Sequence, residues 1–310
     1  MQIVITGAAG HIGSALIRTL PKSFPNAHFV LIDSFMSQRY PSIFHLDNDI
    51  KYTIYQEDLK TFDLTKIISK GTKVINLAAI TDAAGSFSNA KIVEENNFLV
   101  TEQVATACAK MEAKLIALSS TSVYGTQSDE VSEDCSSDDL NPQSPYAETK
   151  LKEEDLLKHL KNTANLHYTC CRFGTIYGPS IGMRFHTAVN KFCWQAALGF
   201  PITVWRTAYN QKRPYLYLGD AVEAISFILQ EEIFEGETFN VLTENLTVKD
   251  VTDAIKAFYP SLSIEFVDTE IMNQLSYEVS NKKFCDRGFS FHGDIITGID
   301  ETFKYLYTKN

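Results

Sequence analysis

Runs of apolar residues and amphipathic stretches follow one another along this chain in a regular order. Residues 2–5 (Gln2-Ile3-Val4-Ile5) and 29–32 (Phe29-Val30-Leu31-Ile32) are short, nearly continuous apolar runs, the pattern of strands buried on both faces. Between them Ile12, Leu16, Ile17 and Leu20 recur at helical spacing. Further strand patterns stand at 50–55, 73–77 and 115–118, and a helical one at 93–110, with Val100, Val104, Ala107 and Cys108 on one stripe. In the last third, 185–198, 221–229 and 248–258 read as helices, the first with Val189, Phe192, Cys193 and Ala196 inward; 238–242 and 264–267 read as strands. Strands alternating with helices predict an α/β fold, a doubly wound parallel sheet with a smaller α/β lobe toward the C-terminus.

The turn after the first run reads Thr6-Gly7-Ala8-Ala9-Gly10-His11-Ile12-Gly13. Glycines at 7, 10 and 13, between a strand and a helix, suit a tight turn, close approach of backbone to a pyrophosphate, and close helix–strand packing. The helix start then aims N–H groups at the anion. Asp33 closes the second strand 26 residues after Gly7, where a dinucleotide fold places its ribose-binding acid. A carboxylate there accepts from ribose hydroxyls and repels a 2′-phosphate, which favours NAD over NADP; Arg39 nearby leaves room for NADP.

Composition changes the picture little. The 310 residues are 45% hydrophobic, enough for one large core or two coupled ones. The excess of 38 acidic over 28 basic residues gives a net charge of −10, which argues against nucleic acid or an anionic membrane as partner. No apolar run reaches the roughly 18 residues of a membrane span, and strand one occupies the N-terminus where a signal peptide would stand, so a soluble cytoplasmic protein is expected. Cys108, Cys135, Cys170, Cys171, Cys193 and Cys285 show no metal-binding or disulfide spacing, so reduced, mostly buried thiols and no metal site are expected. The polar, acidic stretch 128–139 is expected to be a mobile loop.

Two later stretches carry chemistry. Ser119-Ser120-Thr121-Ser122-Val123-Tyr124-Gly125 follows the 115–118 strand, at the sheet edge where doubly wound folds bind ligands. Ser144-Pro145-Tyr146-Ala147-Glu148-Thr149-Lys150 reads as a helix start with Ser144 as cap. Tyr146 and Lys150, four apart, share one helix face, where an ammonium lowers the phenol pKa from about 10 toward neutrality. Such a Tyr can take a proton from a hydroxyl whose carbon loses hydride; alone, the same spacing also describes a solvated surface pair. Asp58 is placed to accept from an adenine amino group or to lie in an exposed loop, and the small residues Ala78-Ala79 suit either a passing cofactor or plain packing.

Together the glycine turn and Tyr146-Ala147-Glu148-Thr149-Lys150 resemble the extended short-chain dehydrogenase/reductase family, in its NAD-dependent sugar-nucleotide epimerase and dehydratase branch, and the chain looks like the UDP-sugar 4-epimerases within it. Asp58-Leu59 looks like the family's adenine-contact pair, Leu77-Ala78-Ala79 like its strand-four motif, 97–101 like its N-V-x-G-T helix, 172–179 like its R-x-F-N-V-Y-G-P stretch, and Arg213-Pro214-Tyr215 with Leu218-Gly219-Asp220 like its R-D-F-x-H-V-D-D segment. The resemblance implies a Rossmann fold over 1–174 with return segments near 214–242, and a substrate lobe over 175–310. It implies Tyr146 as general base, Ser120 as the hydroxyl on the reacting oxygen, and Lys150 as pKa tuner and ribose ligand. The cofactor set would be Gly7, Gly10, His11, Ile12, Gly13, Asp33, Asp58, Leu59, Leu77, Ala78, Ala79, Asn97, Tyr146 and Lys150. Ser120, Thr175, Arg184 and Arg213 would meet a nucleotide-diphosphate sugar.

The implied reaction is epimerisation: hydride passes to bound NAD, a keto-sugar forms, and hydride returns to the opposite face. An NAD(P)H-dependent keto-sugar-nucleotide reductase would use the same residues; a non-catalytic dinucleotide sensor would need the glycine turn but not the hydroxyl, Tyr and Lys. Thr121-Ser122 stands where the family's dehydratases carry Asp-Glu, which argues against dehydration. Thr175 replaces a substrate-contacting Asn, 205–212 is bulkier and more basic than the usual glycine-rich loop, and Asn273-Gln274-Leu275-Ser276-Tyr277 stands where an R-x-G-D is usual. The resemblance also implies a homodimer pairing the Asn97 and Tyr146 helices, for which Leu151, Leu156, Leu157 and Leu160 are available, although packing within the subunit accounts for them equally.

Overall fold

The computed structural model describes every residue except 82–89, 126, 128, 137–138, 269–275 and 307–310. In chain order the elements of the first half are β1 (Gln2–Thr6), α1 (His11–Ser23), β2 (His28–Asp33), β3 (Lys51–Gln56), β4 (Lys73–Asn76), α2 (Ala90–Lys110), β5 (Lys114–Ser120), β6 (Glu130–Val131) and α3 (Pro145–Ala164). They continue as β7 (His167–Phe173), β8 (Thr175–Tyr177), α4 (Ala188–Ala197), β9 (Ile202–Trp205), β10 (Lys212–Tyr217), α5 (Leu218–Gln230), β11 (Glu235–Val241), β12 (Glu244–Thr247), α6 (Val248–Phe258), β13 (Ile264–Val267), β14 (Glu278–Val279), α7 (Lys282–Asp286) and α8 (Ile295–Leu306).

Seven strands form one wholly parallel sheet in the order β11-β7-β5-β4-β1-β2-β3. Ile3, Val4 and Ile5 are fully buried because both faces are covered. On one face β1 packs with α1 and α5 through Ile5, Leu16, Leu20, Ile225 and Ile228. The other face carries Val4, Val74 and Leu115 against Val100, Val104 and Leu157 of α2 and α3. The chain winds outward from β1 through β2 to β3, then crosses back to place β4 on β1's other side. That reversal opens a crevice at the carboxyl ends of β1 and β4, the position where such sheets bind ligands.

The remaining elements build over that crevice. β8, β10 and β12 form a three-stranded sheet, β9 and β13 a pair, and α4, α6 and α8 enclose a core around Tyr177, Tyr215, Val251 and Ile299. Two predicted boundaries move in ways that matter for the site. The predicted strand 115–118 continues through Ser119 and Ser120, because the ladder with Arg172 and Phe173 extends past the last apolar residue. The predicted helix 185–198 starts only at Ala188, after Thr187, so 185–187 is loop beside the crevice. Within the acidic stretch 128–139, Glu130–Val131 pairs in parallel with Glu278–Val279; Ser128 lies outside the described residues, as do Asn273, Gln274 and Leu275. All six cysteines are free thiols, four of them buried, and among the described residues no cluster of His, Cys, Asp or Glu could hold a metal.

Candidate active site

The glycine turn takes the form its spacing requires. Gly7 sits at φ +62°, and a Cβ there would meet the Leu77 carbonyl and Ala78 nitrogen at 2.8 Å. A Cβ on Gly13 would lie 2.5 Å from Gly7 O and 2.6 Å from Ala8 O, so only glycine lets α1 start this close to β1. Gly10 caps the helix with no side-chain acceptor, leaving the first-turn N–H groups of a positive helix end beside the cavity. Asp33 is fixed by two backbone donors, Ala9 N to Oδ2 at 2.9 Å and Phe35 N to Oδ1 at 2.8 Å. Each oxygen keeps a free lone pair for a hydroxyl.

One cavity of about 750 Å3 joins the turn to the predicted chemical residues. Its wall carries Gly7, Gly10, His11, Ile12, Gly13, Asp33, Asp58 and Leu59 at one end, and Leu77, Ala78 and Ala79 along the β4 edge. Ser120, Tyr146 and Lys150 line the same cavity, as do Thr175, Arg184 and Arg213. Such a volume accommodates a large extended ligand. Asn97 is placed differently: it lies behind the wall, 1% exposed, with its amide clamping both the N–H and the C=O of Ile80 at 2.8 Å. It shapes the wall through backbone, and its neighbour Asn96 is the one that lines it.

His11 also does more than face the cavity. Its Nε2 donates to Gly178 O at 2.9 Å, and Ser14 Oγ accepts from Gly182 N at 2.9 Å, so α1 clasps the segment after β8. A Cβ on Gly182 would sit 2.4 Å from Gly10 O. The apposition of Gly182 and Gly10, which joins the second lobe to the turn, was not read from the sequence, because only folding brings the two together. Burial pushes the His11 imidazole down to about 4, with the Arg184 and Arg39 guanidiniums adding to it. Folded His11 is therefore neutral where the unfolded side chain, near 6.5, takes a proton. The unfolded chain binds more protons between those values, so stability is full above about 6.5 and falls as pH drops toward 4, by at most about 3 kcal/mol. Thermal melts across that window are expected to show the fall, and His11→Gln to flatten it.

The end of the cavity lined by Ser120, Tyr146 and Lys150 is organised by hydroxyls and two buried ion pairs, Arg172–Glu154 and Lys150–Glu153. Ser120 closes β5 and accepts from Ser122 N at 3.2 Å and Ser122 Oγ at 2.9 Å. Those bonds occupy its lone pairs and leave its own hydrogen to donate into the cavity. Beside it, Ser119 Oγ donates to Glu154 Oε1 at 2.6 Å, and Arg172 grips the same carboxylate with Nε at 2.9 Å and Nη2 at 2.7 Å. Arg172 Nη1 also donates to Tyr124 OH at 2.8 Å, and Tyr124 to Asn240 Oδ1 at 2.8 Å. This network, unread in the sequence, ties β5, α3, β7 and β11 beneath Ser120.

Ser144 caps α3 through Ala147 N, and Pro145 opens the helix. Tyr146 and Lys150 then lie on one face, with Nζ 5.8 Å from the phenol ring centroid. Burial raises the Tyr146 phenol above its ordinary value, Lys150 works against that rise, Glu153 adds to it, and Arg184 opposes it. Burial pulls the Lys150 ammonium down, but Glu153 and Tyr146 outweigh it and hold it up. The lysine's acidifying effect expected from the sequence is present and outweighed.

Comparison with known proteins agrees with this geometry. Residues 3–241 match the sequence model of the NAD dependent epimerase/dehydratase family. The chain is 32% identical to the uncharacterized UDP-glucose epimerase YtcB of Bacillus subtilis, across 78% of this chain and 76% of that one. It is 29% identical to a trifunctional UDP-glucose 4,6-dehydratase, epimerase and reductase of Arabidopsis thaliana, covering 100% of this chain but only 47% of that protein's length. The crystal structure of UDP-glucuronic acid 4-epimerase from Bacillus cereus, in complex with UDP-glucuronic acid and NAD, superposes with a TM-score of 0.85 at 27% identity, over 99% of this chain and 100% of that one. With a glycine turn, a strand-ending acid and a Ser–Tyr–Lys set on one parallel-sheet crevice, this chain belongs to the NAD dependent epimerase/dehydratase family.

Proposed function

We propose that the protein is an NAD-dependent epimerase of a nucleotide-activated sugar, acting through a keto-sugar intermediate. The observation that carries this reading is the convergence of Ser120, Tyr146 and Lys150 in the cavity that also holds the glycine turn and Asp33. The fit to a dinucleotide rests on the turn, whose first-turn N–H groups suit a pyrophosphate, and on Asp33, whose oriented carboxylate suits a ribose. Bound there, NAD would supply a hydride acceptor that returns the hydride within the same turnover. Tyr146 takes the proton of the sugar hydroxyl and later gives it back, while Ser120 donates to the same oxygen. Lys150 favours the phenolate, and Arg184 and Arg213 offer guanidiniums to a diphosphate. The lobe proposed to hold the sugar nucleotide falls within 175–310 apart from the return segments near 214–242, of which α5 and β11 pack with the large sheet while β10 joins the second one; Phe284 and Phe289 also pack on the large sheet.

A reductase would use the same residues but exchange its cofactor in each cycle. Denaturing the purified protein with no cofactor added separates the two. Near-stoichiometric NAD(H) in the supernatant is the expected result; empty protein that prefers NADPH would make the enzyme a reductase.

The finer reading is a cytoplasmic homodimer. The free thiols suit a reducing compartment. Leu157 and Leu160 belong to the core under the sheet and Leu151 packs near Tyr124, so of the four leucines Leu156 is left for a partner. Ile92 and Leu99 on α2 are 59% and 40% exposed and suit the same role. Sedimentation is expected to give about twice the 34.8 kDa chain mass, and Leu99→Glu to shift it toward the monomer.

A further inference from the structure

The site holds one buried carboxylate that the mechanism above leaves without a role. Glu153 follows Lys150 by three residues on α3 and is 4% exposed. Its Oε2 accepts from Lys150 Nζ at 2.9 Å and from Thr101 Oγ1 on α2 at 2.9 Å. Its Oε1, also buried, has no hydrogen-bond partner among the described residues. Lys150 lines the cavity; Glu153 does not.

Such an arrangement is a poor device for stability. A buried ion pair with an unsatisfied oxygen is no better than well-packed apolar side chains of the same volume. What it does change is the charge that the phenol faces. Without Glu153, Tyr146 would lie 5.8 Å from a bare ammonium; with it, Tyr146 faces an ion pair, whose field is weaker and falls off faster.

We propose that Glu153 is a positioning residue of the reaction: its carboxylate, held between Lys150 and Thr101, sets how much of the lysine charge reaches the Tyr146 phenol. The proposal rests on the reading of Tyr146 as the proton acceptor. The charged and titratable groups around the pair are Lys150, Glu154 and Tyr146 of α3, Cys170 of β7 and Arg184 of the loop before α4; α2 contributes the Thr101 hydroxyl. Burial pushes the Glu153 carboxyl up, and Lys150 holds it down against that. The charge on Glu153 and the acidity of Tyr146 are therefore linked through one ammonium.

The sign follows directly. Removing the negative charge strengthens the lysine's pull on the phenolate, so the Tyr146 titration moves to lower pH. The measurement is an ultraviolet difference titration of the intact protein against Tyr146→Phe, which reads the phenolate without substrate, together with the pH profile of kcat/KM. Glu153→Gln keeps size and an acceptor for Lys150 and is expected to move both the phenol midpoint and the acid limb down by about one unit. Glu153→Asp, which keeps the charge, is expected to restore the wild-type midpoint. A Glu153→Gln midpoint equal to wild type, even with weaker cofactor binding or a lower Tm, overturns the proposal and leaves Glu153 a packing element. If Glu153→Gln does not fold, Thr101→Val serves: it leaves the carboxylate on Lys150 alone and is expected to raise the midpoint, and no movement overturns the proposal. Failure of the wild-type protein to turn over any nucleotide sugar would sink the proposed function while leaving this titration to stand or fall on its own.

Discussion

Tyr146→Phe is expected to lower kcat roughly 10²- to 10⁴-fold, the usual worth of a positioned acid–base group, while NAD stays bound. The variant removes one oxygen and keeps the ring that Lys150 lies over. The glycine turn, Asp33 and the Ala78-Ala79 edge are untouched, so cofactor released on denaturation is expected to match wild type. KM for the nucleotide sugar is expected to change little, because the lost interaction belongs to the transition state. Full activity in this variant would remove the phenol from the mechanism; loss of cofactor together with activity would make Tyr146 a binding residue instead.

Glu154→Leu is expected to be the most destabilising single change near the site. It strips Arg172, 4% exposed, of its bidentate partner and Ser119 of its acceptor. In the wild type Glu154 and Tyr124 hold the Arg172 guanidinium up against burial. Without Glu154 most of that support is gone, but a guanidinium does not give up its proton inside a protein, so Arg172 stays charged and cannot escape the loss. Leaving one member of a buried pair uncompensated costs about 3–5 kcal/mol. At about 2.1 cal/mol/K per residue, that lowers Tm by roughly 5–8 °C in a chain of this length. The double variant Glu154→Leu with Arg172→Met removes both charges and is expected to regain most of the stability. Activity is not expected to return with it, because Ser119, next to Ser120, remains without its acceptor and Tyr124, although still bound to Asn240, has lost Arg172. Calorimetry and turnover measured on the same samples separate the two effects.

The hydrophobic pattern placed most of the large sheet, because strands buried on both faces are continuous apolar runs that need no context to be read. β7 was the exception. His-Tyr-Thr-Cys-Cys-Arg-Phe mixes charge and cysteine with aromatics and shows no clear period, yet it is an interior strand of the sheet, paired on both sides. Its Arg172 is tolerated there because Glu154 meets it from α3, a partner that no local pattern indicates. β8, β9, β10 and β12 are short strands whose register depends on partners far along the chain, so local reading passed over them.

Local sequence was enough to single out the residues that line the glycine-turn end of the cavity and the Ser, Tyr and Lys proposed to react. Glycine spacing, a strand-ending acid and a Tyr–Lys pair at helical separation are properties of neighbouring residues, governed by backbone sterics and helix periodicity. Tertiary structure alone decided which side chains surround those groups. It moved Asn97 behind the wall, brought Gly182 onto Gly10, and took Glu153 and Glu154, two members of the charged stretch Lys152-Glu153-Glu154-Asp155, into the interior. A carboxylate's charge and reach are written in the chain; the water it loses and the cation it gains depend on which distant strand and helix pack against it.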